Sequence, residues 1–128
     1  MINQNGARFE RAKSFISRFT TEDVRGSLYT CPKNCRARVV LLFVTNASSI
    51  VGGGGDNTNI TVEWYRAEED LHYFILGSRN LSSTEFLQFS EGYIVLEPGD
   101  KIEITPSNNA SPQISAFCTV EEIFVPVG

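Results

Sequence analysis

Histidine, tryptophan and methionine each occur once in the 128 residues, cysteine occurs three times, and no apolar run exceeds the six residues 39–44. Each shortage excludes something. A single histidine, His72, leaves no pair for acid–base work and no histidine-rich metal centre. It sits beside Tyr73 in an apolar stretch and reads as a surface or edge residue. Three cysteines cannot frame a disulfide-stapled toxin, and a structural zinc ion wants four ligands where Cys31 and Cys35 offer two. Six apolar residues fall well short of the ~20 that a membrane helix needs. No charged segment followed by an apolar stretch and a small-residue cleavage site opens the chain, so a signal peptide is not expected. Cys31 and Cys35 then read either as two reduced thiols or as a local disulfide across the turn between them. The odd count and the absence of an expected export signal favour reduced thiols, as in a protein maturing in a reducing cytoplasm.

What is present is an ordinary globular composition, 41% hydrophobic and 20% charged, at a length that fits one core. The net charge of −4 conceals an asymmetry. Residues 1–38 hold eight Lys/Arg against Glu10, Glu22 and Asp23, a balance of +5; residues 39–128 hold three against twelve acids, −9. This division predicts basic residues lying on acidic surface, the chain's own or a neighbour's. Acids interrupt the basic residues and dominate the remainder, so neither nucleic acid nor membrane is expected as a partner.

From residue 24 onward the pattern is strand and turn. Strands are expected over 24–31, 36–45, 60–65, 71–76, 86–89, 93–96, 101–105 and 114–125. The segment Ile60-Thr61-Val62-Glu63-Trp64-Tyr65 alternates most clearly and places Trp64 with the core. Residues 39–44 are apolar on both alternations, which predicts a central strand covered on both sides. Glu97-Pro98-Gly99-Asp100 suits a type II turn, Pro presetting φ and Gly supplying positive φ. It is similar to the Pro-Gly-Asp turn of cupin jelly rolls, whose metal-holding histidines are missing here. Residues 77–83 read as a loop, and Glu68-Glu69-Asp70 as a turn. About eight short antiparallel strands imply an all-β domain, a β-sandwich or jelly roll over 24–128.

Residues 1–23 read as an N-terminal arm. Phe9, Ala12, Phe15, Ile16 and Phe19 would line one helical stripe, while residues 14–19 would serve equally as an edge strand. The arm's apolar and basic side chains, Phe9, Arg11, Phe15, Ile16, Arg18 and Phe19, are the candidate partner interface. Gly53 and Gly54 join them from the tip of the Gly52-Gly53-Gly54-Gly55 loop. That loop runs into Asp56-Asn57-Thr58 rather than Lys-Ser/Thr and a helix, so it is no phosphate cradle.

No catalytic set emerges. There is no Gly-x-Ser-x-Gly elbow. Cys118 alternates with Ile114, Ala116 and Val120 as a small core residue, and Glu121 and Glu122 must point to opposite faces of a strand. The expectation is a protein without catalytic residues, cofactor or metal.

The segments Leu28-Tyr29-Thr30-Cys31-Pro32, Ile60-Thr61-Val62-Glu63-Trp64-Tyr65, Tyr93-Ile94-Val95-Leu96-Glu97-Pro98-Gly99-Asp100-Lys101-Ile102 and Val120-Glu121-Glu122-Ile123-Phe124, with the strand over 36–44, carry a resemblance. Across about residues 28–126 the chain resembles small virion proteins of tailed bacteriophages, cyanophages in particular. The resemblance implies an all-β structural subunit of a capsid or tail, without catalysis, located in virions assembled in the host cytoplasm. A capsid decoration (cement) protein is the expected role. It would contact the major capsid protein or other virion subunits, and sister copies in a homo-oligomer. A tail-associated adaptor, ring or fibre-base component is the alternative. A carbohydrate-binding sandwich using Trp64, Tyr65, Tyr73 and Tyr93 is a second.

Overall fold

The computed structural model describes residues 10–47, 57–83, 85–90 and 94–125. Nine strands form among them: β1 (Glu10–Phe19), β2 (Gly26–Thr30), β3 (Cys35–Asn46), β4 (Thr58–Arg66), β5 (Leu71–Leu81), β6 (Phe86–Phe89), β7 (Ile94–Leu96), β8 (Lys101–Ser107) and β9 (Ile114–Phe124). One sheet has the order β1-β9-β3-β6, with β7 also on β3; the other has the order β2-β8-β4-β5. All pairings are antiparallel. The chain crosses between sheets at β1–β2, β2–β3, β3–β4, β5–β6, β7–β8 and β8–β9, which is jelly-roll order with its fourth outer strand split into β6 and β7. No helix among the described residues is long and apolar enough to cross a membrane.

Period-two alternation builds the core between the sheets. Val39, Leu42, Val44, Ile114 and Val120 face inward from the first sheet, and Ile60, Val62, Ile102 and Ile104 from the second, all at most 4% exposed. Burying each contributes roughly 1.5–3 kcal/mol. Cys118 lies in the same row and is fully buried, as its alternation implies. All three cysteines are free and buried. Burial pushes the Cys31 and Cys118 thiols up to about 12.

The Glu97–Asp100 turn closes as read: the Asp100 amide donates to the Glu97 carbonyl at 3.0 Å, and Gly99 has φ +87°. A Cβ on Gly99 would also stand 3.0 Å from that of Ala67. The Asp100 carboxylate, 1% exposed, accepts hydrogen bonds from the Trp64 indole and from the Ala67 and Glu97 amides, each at 3.0 Å. Trp64 is thus packed against the core by its body and tied to the turn by its nitrogen.

Three expectations change. The chain over 77–81 is strand, not loop: β5 continues to Leu81 because Thr58 and Asn59 of β4 offer pairing partners there. An exposed edge strand needs no apolar alternation to be held. Of the two readings of the N-terminal segment, the edge strand over 14–19 is the one that forms, extended to residues 10–19 as β1 and paired along its length with β9. The helical stripe is not realised, since Phe15 packs against the core while Ile16 is 79% exposed. Third, β3 is central in its sheet, but its outward residues Val40, Leu41 and Phe43 are only half-buried.

Two substitutions test this packing by chemical denaturation. Gly99→Ala forces an L-residue into left-handed backbone and is expected to cost about 1–2 kcal/mol. Leu42→Ala opens a cavity between the sheets and is expected to cost about 2–5 kcal/mol.

Candidate assembly surface

The outer face of the five-stranded sheet carries an aromatic row. Phe43 of β3 and Phe117 of β9 are register partners whose rings stack at 4.9 Å and 18°. Phe86 of β6 stacks on Phe43 from the other side at 5.0 Å and 15°. Ile16 of β1 is the register partner of Phe117 and extends the row to the sheet edge. Its ends are open, Ile16 at 79% and Phe86 at 57% exposure. Four strands thus present one apolar stripe that no layer among the described residues covers.

The stripe ends on a regular edge. β1 pairs with β9 from Glu10↔Ile123 to Phe19↔Ile114 without a register shift. The pairings of β2 with β8, β3 with β9 and β4 with β5 each contain an irregularity. Long, unbulged edges are the ones that accept another strand.

What fixes β1 is a carboxylate beneath it. Glu122, 1% exposed on the inner face of β9, accepts from the Tyr29 hydroxyl of the opposite sheet at 2.6 Å and from Arg11 Nε at 2.8 Å; Lys13 Nζ is 3.9 Å away. Burial alone would raise the Glu122 pKa. The Tyr29 and Arg11 hydrogen bonds and the charge of Lys13 outweigh it, holding the carboxyl below its ordinary value. Burial and the same carboxylate push the Tyr29 phenol well up. Phe15 packs on the Tyr29 ring at 4.8 Å, and Phe19 lies so close over Gly26 that a Cβ there would come within 2.7 Å of its ring.

The opposite outer face, on the four-stranded sheet, is polar at its centre. Glu63 of β4 and Glu103 of β8 are directly opposed register partners, each 7% exposed. Arg25 reaches them from the β2 side, its Nε 2.9 Å from Glu63 Oε1 and 3.7 Å from Glu103 Oε1. His72 reaches them from β5, Nδ1 lying 2.8 Å from Glu103 Oε1. The basic N-terminal third therefore lies on the chain's own acids. Arg11 and Lys13 meet Glu122, Arg25 meets Glu63 and Glu103, Arg36 meets Glu97, and Arg38 meets Glu121. The last two pairs are exposed and worth little energy, but they leave less basic surface for other anions.

The expected interface residues are divided by this geometry. Ile16 and Arg18 are exposed on the outward side of β1; Phe15 and Phe19 pack inward, Phe19 at 7% exposure; Arg11 is committed to Glu122 and lies over the Phe124 ring at 4.9 Å. Phe9, Gly53 and Gly54 lie outside the described residues, as does Tyr93. His72 is on an edge strand, as read, but its ring nitrogens are engaged. Sequence reasoning missed Phe43, Phe86 and Phe117. Their signal was available: each alternates with residues whose inward direction the pattern already set.

No family model matches the chain, and no curated protein matches it. Solved structures do. A chain from Bacillus endospore appendages, described as a family of disulfide-linked pili, aligns at a TM-score of 0.54 and 11% identity, over 98% of this chain and 97% of that one. A chain of the T13 IBDV viral particle aligns at 0.49 and 12%, over 93% of this chain, which spans 36% of that chain. A chain of the cyanophage Pam1 capsid aligns at 0.43 and 16%, over 98% and 91%. At these identities the likeness is one of fold alone, and of these three only the appendage chain exceeds a TM-score of 0.5.

The Glu122 contacts carry a pH signature. A carboxyl held below its unfolded value contributes stability above about pH 4.3 and loses it as pH falls through the lower folded value. Glu122→Gln is therefore expected to lower stability at neutral pH and to flatten the acid limb of the stability profile, read by urea midpoints between pH 2 and 7.

Proposed function

We propose that the chain is a structural subunit of a bacteriophage virion, a capsid decoration protein that joins the shell through the outer face of its five-stranded sheet and the adjoining β1 edge. The observation that carries this reading is the stripe Ile16–Phe117–Phe43–Phe86, left uncovered among the described residues, beside a regular strand edge. Contiguous apolar surface of this kind marks a contact site on a protein. Its aromatic members are the residues that dominate interface energetics. The resemblance to small phage virion proteins points the same way, as does a polar inventory that the fold spends on its own ion pairs.

Assembly in this reading is non-covalent. Appendages made of disulfide-linked subunits need accessible thiols, whereas Cys31, Cys35 and Cys118 are fully buried. A tail-associated subunit would use the same surface, and the copy number per particle separates the two roles. The carbohydrate reading draws less support. The Trp64 indole is bonded to Asp100, the Tyr65 hydroxyl to Asp70 and the Tyr73 hydroxyl to Glu69, so their polar atoms are already engaged within the chain.

The variant Ile16→Glu with Phe117→Gln tests the proposal. Both side chains point away from the core, so the chain should retain its circular-dichroism spectrum and a cooperative melt. Its binding to particles lacking the protein should weaken by on the order of 2 kcal/mol, about thirty-fold, for loss of a central aromatic anchor. Wild-type occupancy of particles by the folded variant would refute the surface assignment. The deletion of residues 1–20, by contrast, removes β1 and Phe19 from the sandwich and is expected to reduce stability as well as binding.

A further inference from the structure

We infer that Glu63, Glu103 and His72 form a binding site for a first-row transition-metal dication of the Zn²⁺ class on the polar face of the four-stranded sheet. The site lies on the face opposite the aromatic row and does not depend on the assembly role. Two carboxylates directly opposed on neighbouring strands repel one another, and both are buried at 7% exposure. One guanidinium, that of Arg25, answers them. Arginine can only donate, so the 3.4 Å contact of its Nη1 with His72 makes Nε2 the acceptor and puts the imidazole proton on Nδ1, toward Glu103. In that state the four groups sum to −1. A dication in place of the guanidinium brings the carboxylates and neutral imidazole to zero.

The geometry suits the exchange. One nitrogen of His72 and one oxygen of each glutamate all lie within 4.8 Å of one another, and His72 Nδ1 and Glu103 Oε1 are 2.8 Å apart. Bonds of about 2.1 Å set neighbouring ligand atoms of one ion about 3.0–3.4 Å apart, so a modest inward movement of Glu63 completes the set. The mixed nitrogen–oxygen donors favour Zn²⁺ or Ni²⁺ over Ca²⁺ and Mg²⁺, which take oxygen ligands. Arg25, whose side chain is 44% exposed, has room to swing into solvent. The imidazole proton then moves to Nε2, freeing Nδ1 for the ion. Arg25 and the cation compete for the same carboxylates, and the ion would brace β8, β4 and β5 together.

Calorimetric titration of the purified full chain with Zn²⁺, alongside Ca²⁺, and thermal melts with each ion test the site. The expected result is uptake of one Zn²⁺ per chain with a raised melting temperature, and no comparable effect of Ca²⁺. Glu103→Gln and His72→Ala should each weaken Zn²⁺ binding by about ten-fold or more, whereas Arg25→Ala should preserve or tighten it. Glu103→Gln is isosteric, so it reports even where His72→Ala folds poorly. Absence of Zn²⁺ uptake by the wild-type chain, uptake unchanged in Glu103→Gln, or loss of uptake in Arg25→Ala would overturn the assignment.

Discussion

Strand β3 is apolar on both faces over residues 39–44, β9 adds Phe117 beside it, and a two-layer sandwich can cover only one face. The inner faces meet the second sheet and are sealed: Leu42, Val44, Ile114 and Val120 are fully buried and Val39 is 4% exposed. The outer faces are left with Phe43 and Phe117, which cover one another and recruit Phe86 and Ile16 from the flanking strands. Stacking neighbours reduces the water contact of each ring without removing the stripe from solvent. The same period that makes the core thereby makes the surface.

The two outer faces differ in how they manage charge. On the five-stranded sheet Arg36 pairs with Glu97 and Arg38 with Glu121, away from the stripe's centre at residues 43 and 117. On the four-stranded sheet the charges are central, with Glu63 and Glu103 between Arg25 and His72. One face is suited to dry contact and the other to ions and water. Between the sheets, Glu122 takes its partners from both, Tyr29 from the four-stranded sheet and Arg11 from β1. A carboxylate buried this way keeps β1 in register because its loss would leave partners unmatched in a dry site.

The strands over Ile60-Thr61-Val62, the positive φ at Gly99, the core position of Cys118 and the opposite facing of Glu121 and Glu122 were all legible in the sequence, because each depends on local alternation or turn chemistry. Three features were not. β5 runs through Gly77-Ser78-Arg79-Asn80, residues that favour turns, and is held there by its partner β4. The outward phenylalanines are legible one by one, but only register joins residues 16, 43, 86 and 117 into a row. The Arg25–Glu103–Glu63–His72 cluster joins strands β4, β5 and β8 with the residue just before β2, positions far apart in the chain, and no local pattern encodes that meeting. Local period sets which face a side chain takes; long-range pairing sets what it finds there.

If the aromatic row is the proposed contact surface, its accessibility must fall when the chain joins a particle. Hydroxyl-radical footprinting of the free chain and of chain in purified particles measures this directly, residue by residue. Phe43, Phe86 and Phe117 are expected to be strongly protected in particles, while Phe74 and Tyr73 on the far edge keep the reactivity they show in the free chain. Equal labelling of the row in both states, or protection confined to Phe74 and Tyr73, would contradict it.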